Sequence, residues 1–598
     1  MPVAAPGLLL AAALATAVLI IANPQVMRGD LIDTDSYMHV VRLRSFVADW
    51  DWHGGFFPRD NAPFGLVLYW TKAYDLLFLA VAAPLAPFVG WESAVTWVAP
   101  AVGPLTVVAL ILSGIWAVAP ICDPAERRLV GIMLALAPMM LVYGAIGNAD
   151  YHVAVVASCL VFLGFALRAA MGGSPRQGLS AGLAAALALW LSVECILGLL
   201  LGIALMGLAW VREGRRLRAA NLAFATAFAL SMAATLAFDP PYGGWLRAEA
   251  GRISILYVTF AFLVGLLCAA TALAPQDPRA WRTRLAVASA GAALSAICLV
   301  ALFPGALAPE HAVFGADDEL RFWNEVGEMQ PAFRHPATGV MLIGGPALGL
   351  AVAIALAWQK RRSAAGLAWA MFAMMLVILI AAGLRHLRFV TYPEALAALP
   401  IALLMTRVGP FLDTVAPIYL RLFGRVFVAA AVFIGPFLLA GVVAAATGEA
   451  PPARSNCAVR VVAPALNDPR FMGGRDLILM TQPVAAAELL FWTGHRVVDA
   501  PFHTNVEGIY GITHDLIQFM TSRDDVAARA IVERRGIAFV MLCPSDRTGA
   551  DSTDPDGRQL YSRLLNGEVP GWLTPQPWPI GVASDLRLFR VVSPGRLK

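Results

Sequence analysis

The stretch "LVGIMLALAPMMLVYGAIGNADYHVAVVASCLVFLGFAL", residues 129–167, decides how the chain folds. Two apolar runs flank "GNADYH", and each could lie in lipid. Between them Asp150 and His152 stand two residues apart, a carboxylate and an imidazole at the edge of a membrane. Ionisable groups at such depth are costly, and their default reading is a functional site.

The rest of the chain agrees with a membrane setting. Of 598 residues, 59% are hydrophobic and 14% charged, where soluble domains carry roughly a quarter charged. Mean hydropathy is +0.70. The first run, "LLLAAALATAVLIIA", has no Lys or Arg before it and no clear cleavage site after it, so we read a retained span. Seven cysteines form no CxxC pair. Five lie in or near apolar runs, and Cys457 and Cys543 could form one disulfide if the C-terminal part is extracytoplasmic.

Apolar runs of about 17–25 residues predict about thirteen spans, near 5–23, 93–118, 128–146, 153–171, 178–193, 195–211, 219–238, 253–274, 283–304, 337–357, 365–383, 390–406 and 425–447. The apolar segment 74–92 is left out as an interfacial or re-entrant helix, because counting it reverses the orientation of all that follows. With the N-terminus inside, "ERR" (126–128), "RAAMGGSPRQ" (168–177), "REGRRLR" (212–218), "PQDPRAWRTR" (275–284), "QKRRS" (359–363) and the Arg407–Arg425 connection all become cytoplasmic. That is the positive-inside pattern. The expected fold class is an α-helical polytopic membrane protein, residues 1–449, with a long first external loop (24–92) and another at 305–336. A C-terminal extracytoplasmic α/β domain, 450–598, follows the linker "TGEAPPARSN". Its strand-like runs are "CAVRVVAP", "DLILMTQP", "IAFVMLCP" and "LRLFRVV".

Under this topology the unusual polar residues share the outer face. Asp30, Asp33, Asp35 and His39 open the first external loop. Asp150 and His152 lie in the next, Glu194 in a later turn, Glu325 and Glu328 in 305–336, and Arg385 and Arg388 at the head of a late span. Any one acid alone reads as loop solvation. Acids supplied to one face by four loops read as a site. Oxygen ligands with an imidazole suit Mg2+ or Mn2+ better than Zn2+. A cation there would neutralise a leaving phosphate, an arginine could clamp phosphate oxygens, and a spare carboxylate could orient an acceptor.

These motifs resemble the catalytic subunits of oligosaccharyltransferases, within the GT-C class of multispanning glycosyltransferases that use polyprenyl-linked donors. "DTDSYMHVVRLRSF" is similar to the family's first acidic motif, and the resemblance makes Asp35 a metal ligand. "NADYHVAVV" resembles the second, implying Asp150 and His152 as the other ligands. "EVGEMQP" points to Glu328 beside metal and acceptor, and "RHLRFVTYP" to Arg388 on the donor diphosphate. The resemblance thus implies Asp35 and Glu328 as catalytic, a polyprenyl-linked sugar donor, and a protein, glycan or lipid acceptor. It implies a bacterial-type inner membrane with the C-terminal domain outside and no nucleic-acid partner. The oligomeric state is left open.

The C-terminal domain departs from the family. The expected Trp-Trp-Asp-Tyr-Gly has its nearest counterpart in "LLFWTGHRVVDAPFHTN" (489–505), with Trp492 at the second Trp, Thr493 at Asp and Gly494-His495 at Tyr-Gly. Trp492, Thr493, His495 and Glu194 are acceptor-side candidates. A monophosphate-linked donor serving a lipid or polysaccharide acceptor therefore stays open. A transporter or flippase is disfavoured, since no internal repeat is visible and the charges lie at one face rather than mid-span.

Overall fold

The computed structural model describes residues 24–67, 70–275, 277–307, 327–415, 417–448, 457–500, 515–546, 554 and 556–592. The expected first span, 5–23, lies outside them. Among the described residues nine helices are long and apolar enough to cross a membrane, or ten if one bent pair counts as a span. Local chemistry explains where this departs from the thirteen expected.

The expected span 128–146 is instead two helices, Pro124–Leu136 and Pro138–Tyr143. Proline disfavours helical geometry in the residue before it, and Ala137 is extended at φ −62°, ψ 131°. The break leaves the Met139 N–H without an intrahelical carbonyl, and buried Glu394 of a later span accepts it at 3.0 Å. The expected span 178–193 is the 17-residue helix Pro175–Leu191, which ends at extended Ser192. The expected span 425–447 is the pair Ile418–Phe433 and Gly435–Thr447, bent by 58°, with Pro436 just inside the second helix. Segment 74–92 contains no single long helix. It is split between Lys72–Ala82, Ala86–Val89 and the start of Trp91–Val118.

Short turns join many of the helices, so successive helices alternate in direction. His152–Gly172, Val193–Glu213, Pro336–Gln359 and Leu387–Thr414 each present a first turn toward the same end of the bundle. That end is roofed by the acidic helix Thr34–Asp49, and the loop after it forms a two-stranded antiparallel ribbon, β1 (Phe56–Phe57) and β2 (Leu66–Val67).

The C-terminal domain is a five-stranded mixed sheet in the order β4-β3-β5-β7-β6. Its strands are β3 (Ile478–Met480), β4 (Arg496–Val497), β5 (Phe539–Leu542), β6 (Leu573–Pro575) and β7 (Arg587–Val591). Three of the four expected strands are present. The fourth, "CAVRVVAP", lies mostly in the helix Val459–Leu466. Its buried Val459, Val462, Ala463 and Leu466 recur at helical spacing, which the run of valines obscures. Cys457 and Cys543 form a disulfide with Cα atoms 5.7 Å apart.

The domain docks through its apolar helix Pro483–Trp492. Phe491 meets Tyr37 of the acidic helix edge-on at 5.1 Å. Arg44 lies over the Phe491 ring at 4.3 Å and donates to its carbonyl at 2.9 Å.

Candidate active site

The site begins with the helix Trp91–Val118, which carries Pro100 and Pro104. Pro104 has no N–H, so the Pro100 carbonyl loses its helical donor and accepts the Gly147 N–H at 2.9 Å instead. Gly103 donates to the Asn148 carbonyl at 2.9 Å. A side chain at Gly103 would lie 2.5 and 2.7 Å from the Ala145 and Asn148 carbonyls, so only glycine admits this close approach. Gly147 itself takes φ +90°, a conformation other residues resist. These contacts seat "GNADYH" on the helix.

The same loop is tied to the acidic helix. Asp33 caps that helix by accepting from the Ser36 N–H at 2.7 Å. The Asn148 side-chain amide donates to the other Asp33 oxygen at 2.5 Å, and Asn148 Oδ1 accepts from the Asp150 N–H at 3.0 Å. Ser36 Oγ accepts from the Ala149 N–H at 2.7 Å. Tyr74, from the segment excluded from the span count, donates to the Ala149 and Asp150 carbonyls at 2.8 and 2.9 Å. Ser36, Tyr74 and Asn148 fix the geometry, yet none of them is assigned a role from the sequence. The signal for Asn148 was its place inside the quoted stretch, and there was none for Tyr74.

The expected residues converge here. His152 Nε2 is 3.2 Å from Asp150 Oδ2 and 3.4 Å from Glu328 Oε2. Arg388 reaches Glu328 at 3.1 Å and Glu194 at 2.5 Å, and it donates to the Tyr151 hydroxyl at 3.2 Å. Tyr143 donates to Glu328 at 3.1 Å. Asp35 lies in the first turn of the acidic helix, within electrostatic reach of Asp150, Glu328 and Asp33. Glu194 thus joins Arg388, and Arg385 is exposed.

Burial and crowding set the charges. Burial, then Asp150, raises Asp33 to about 6. Burial, then Asp150, Glu328 and Asp33, pushes Asp35 well above the carboxylate range. Burial also opposes ionisation of Asp150 and Glu328. His152 and His39 outweigh it for Asp150, as Arg388 and His152 do for Glu328, and both acids are held low.

The acceptor-side candidates of the C-terminal domain are arranged differently. Thr493 Oγ1 donates to the Leu489 carbonyl at 2.7 Å and accepts from the His495 N–H at 3.2 Å. Buried His495 bonds the Leu466 carbonyl at 2.7 Å and the Leu477 N–H at 3.1 Å. Both are held by their own domain. Trp492 is half-buried and packs toward Gly29.

The overall shape matches solved enzymes. Archaeal oligosaccharyltransferase AglB from Archaeoglobus fulgidus, in complex with an inhibitory peptide and a dolichol-phosphate, superposes with TM-score 0.63 at 14% identity, over 90% of this chain and 69% of that one. The chain shares the fold of that oligosaccharyltransferase. The A. fulgidus enzyme in its apo form gives TM-score 0.64 at 16% identity, over 90% and 69% of the two chains. Its complex with zinc and sulfate gives 0.61 at 16%, over 90% and 67%. No protein-family model matches the sequence, and no curated protein matches it.

Among the described residues no group of three or more His, Cys, Asp or Glu is already disposed as a metal-ligand set. The donor chemistry nonetheless fits a divalent cation. Half-buried Asp35 lies within electrostatic reach of Asp33, Asp150 and Glu328, and like charges at low dielectric repel strongly. A cation would relieve that repulsion, and carboxylates with one imidazole are its usual ligands.

Proposed function

We propose that this chain is a metal-dependent membrane glycosyltransferase, oligosaccharyltransferase-like. It moves a glycan from a polyprenyl-(di)phosphate carrier to an acceptor at the outer face of the membrane. The observation that carries this reading is the meeting of Asp35, Asp150, His152, Glu194, Glu328 and Arg388, from separate loops, at one end of a GT-C bundle. Positive-inside counting puts that end and the C-terminal domain outside an inner membrane, with the N-terminus cytoplasmic.

The mechanism follows from what each residue faces. Asp35, Asp150 and His152 would hold Mg2+ or Mn2+. Bound there, such an ion supplies a Lewis acid for the departing phosphate oxygens. Arg388 binds the donor phosphate, and its planar fork suits two oxygens at once. That fork now holds Glu194 and Glu328, so phosphate exchanges with a carboxylate and frees Glu328 toward the acceptor. Asp35 and Glu328 accept the N–H or O–H hydrogens of the acceptor and orient its lone pair at the anomeric carbon. The new bond forms there as the bond to phosphate oxygen breaks, and the acceptor proton passes to a carboxylate.

Purified protein given a polyprenyl-diphosphate glycan and an acceptor peptide should form glycopeptide and free polyprenyl diphosphate, and Asp150→Ala should not. A folded wild-type protein inert toward every polyprenyl-linked donor would refute the reading.

A second reading keeps the fold and changes the substrates: a polyprenyl-monophosphate sugar given to a lipid or polysaccharide. The inward-turned Thr493 and His495 favour it, because they replace the positions that would read an acceptor hydroxyl residue. Deleting the gene separates the two. Loss of lipid- or polysaccharide-linked sugar, with protein-linked glycans intact, supports the second.

A further inference from the structure

One imidazole in this site has no role in the reading above. His39 lies one helical turn after Asp35 on Thr34–Asp49, and residues four apart share a helix face. It is 1% exposed. Its ring stacks on Trp70, with centroids 3.7 Å apart and an interplanar angle of 15°. Tyr74 and Tyr151 meet it edge-on at 5.0 and 5.8 Å. The ring is thus clamped in one orientation, yet neither nitrogen makes a hydrogen bond. Buried polar groups nearly always find hydrogen-bond partners, so an imidazole held this firmly without one, beside a carboxylate, is open to a further role.

It points at Asp150. His39 Nε2 is 3.6 Å from Asp150 Oδ1, while His152 Nε2 is 3.2 Å from Asp150 Oδ2. One carboxylate is thus flanked by two imidazoles, one beside each oxygen. The first separation is long for a hydrogen bond. Donor atoms each about 2.1 Å from a shared ion sit roughly 3.0–3.4 Å apart; the His152 separation falls in that range and the His39 separation lies slightly beyond it.

We infer that His39 is a further cation ligand, making the protein set Asp35, His39, Asp150 and His152. This rests on the cation reading above and extends it. Two imidazoles move the preference of the site away from Mg2+, a hard ion that takes oxygen, toward Mn2+ or Zn2+.

A positioning role for His39, through Asp150 alone, would also weaken metal binding, by about 10–100-fold. Affinity therefore does not separate the two roles, whereas a count of coordinated nitrogens does. Full-length protein in detergent is loaded with Mn2+ alone and examined by pulsed electron paramagnetic resonance, which detects nitrogen bound to the ion. We expect two imidazole nitrogens in the wild type, and one each in His39→Gln and His152→Gln. His39→Asn replaces His39→Gln if the latter does not fold. One nitrogen in the wild type overturns the inference and leaves the cation reading standing. Two nitrogens in both His39 and His152 variants overturn it as well. A folded wild type that binds no Mn2+ overturns the inference and the cation reading together. Competition adds a second readout: Zn2+ should displace Mg2+ far more readily from the wild type than from the His39 variant.

Discussion

Two clusters of buried carboxylates in this protein use the same ingredients to opposite ends. At the active end of the bundle, Glu328, Arg388 and Glu194 keep 22%, 17% and 16% of their side chains exposed. Where the loop that follows Thr34–Asp49 meets the C-terminal sheet, Asp60, Asp499 and Asp515 face Arg535, and Arg535 and Asp515 are 0% and 1% exposed. Arg535 is spent on fixed partners there. It donates to Asp515 and, at 2.9 Å, to the Asn61 side chain and the Ala62 carbonyl. Asp60 accepts from the Asn61 and Ala500 N–H groups at 2.8 and 2.9 Å. This cluster is sealed and joins two parts of the chain. The other is open to a ligand and leaves Asp35 repelled by its neighbours. Exposure of the arginine, rather than the number of acids, distinguishes a site from a strut.

The contrast is broken most directly by removing a charge at each place. Asp150→Ala should abolish glycosyl transfer, on the order of a thousandfold or more, as losses at preorganised charge sites do. Asp150 is itself 2% exposed and paired with buried His152, so transfer is read per folded molecule. Arg388→Lys keeps the charge and loses the planar fork, so donor turnover should fall on the order of a hundredfold and the acceptor KM should change little. Unchanged transfer in either variant would mean the open cluster is only structural. Arg535→Met should do the reverse. Removing one partner of a buried ion pair costs about 3–5 kcal/mol, measurable as a loss of thermal stability. Transfer per folded molecule should stay near wild type.

A pH series sharpens the same contrast. Burial raises Asp60 from its ordinary 3.8 to about 7, and burial with Asp60 itself raises Asp499 well above its ordinary range. Arg535, with its bonds to Asp515 and Asn61, is the cation facing both. A raised acid is protonated in the folded state at pH values where the unfolded chain has released its proton. The contribution of Asp60 to stability is therefore fullest below about pH 4, declines as pH rises and is lost above about 7. Asp60→Asn should flatten that decline, as read by thermal unfolding between pH 4 and 8. An unchanged slope would place the titration elsewhere.

Much of this was legible in the sequence because its signals are local. Apolar length marked the helices, and Asp150, His152, Glu328 and Arg388 stood out as polar residues beside apolar runs. What escaped depends on contacts distant in sequence. The split of 128–146 needed the extended Ala137 before Pro138, and its repair comes from Glu394, 255 positions away. Tyr74 reads as one more aromatic in an apolar segment until its hydroxyl is seen on the Ala149 and Asp150 carbonyls. Strand β4 is two residues long, too short for any alternation to show. It is extended by the first loop, where Val497 donates to the Arg59 carbonyl at 2.8 Å and Ala62 to the Val497 carbonyl at 2.9 Å.

The smallest effect falls on the stretch between the two clusters. Arg59 of the first loop donates to the Leu490, Thr493 and His495 carbonyls at 3.0, 2.5 and 2.9 Å, so "FWTGH" is gripped by its backbone. The Thr493 hydroxyl is used within its own turn. Thr493→Val keeps the shape and removes two buried hydrogen bonds, each worth about 1 kcal/mol. If Thr493 serves the fold, thermal stability drops by that small amount, and transfer and acceptor KM stay as they are. If Thr493 instead reads the acceptor, stability is unchanged and the acceptor KM rises. The two outcomes exclude each other, so one substitution decides whether this turn belongs with the sealed cluster or the open one.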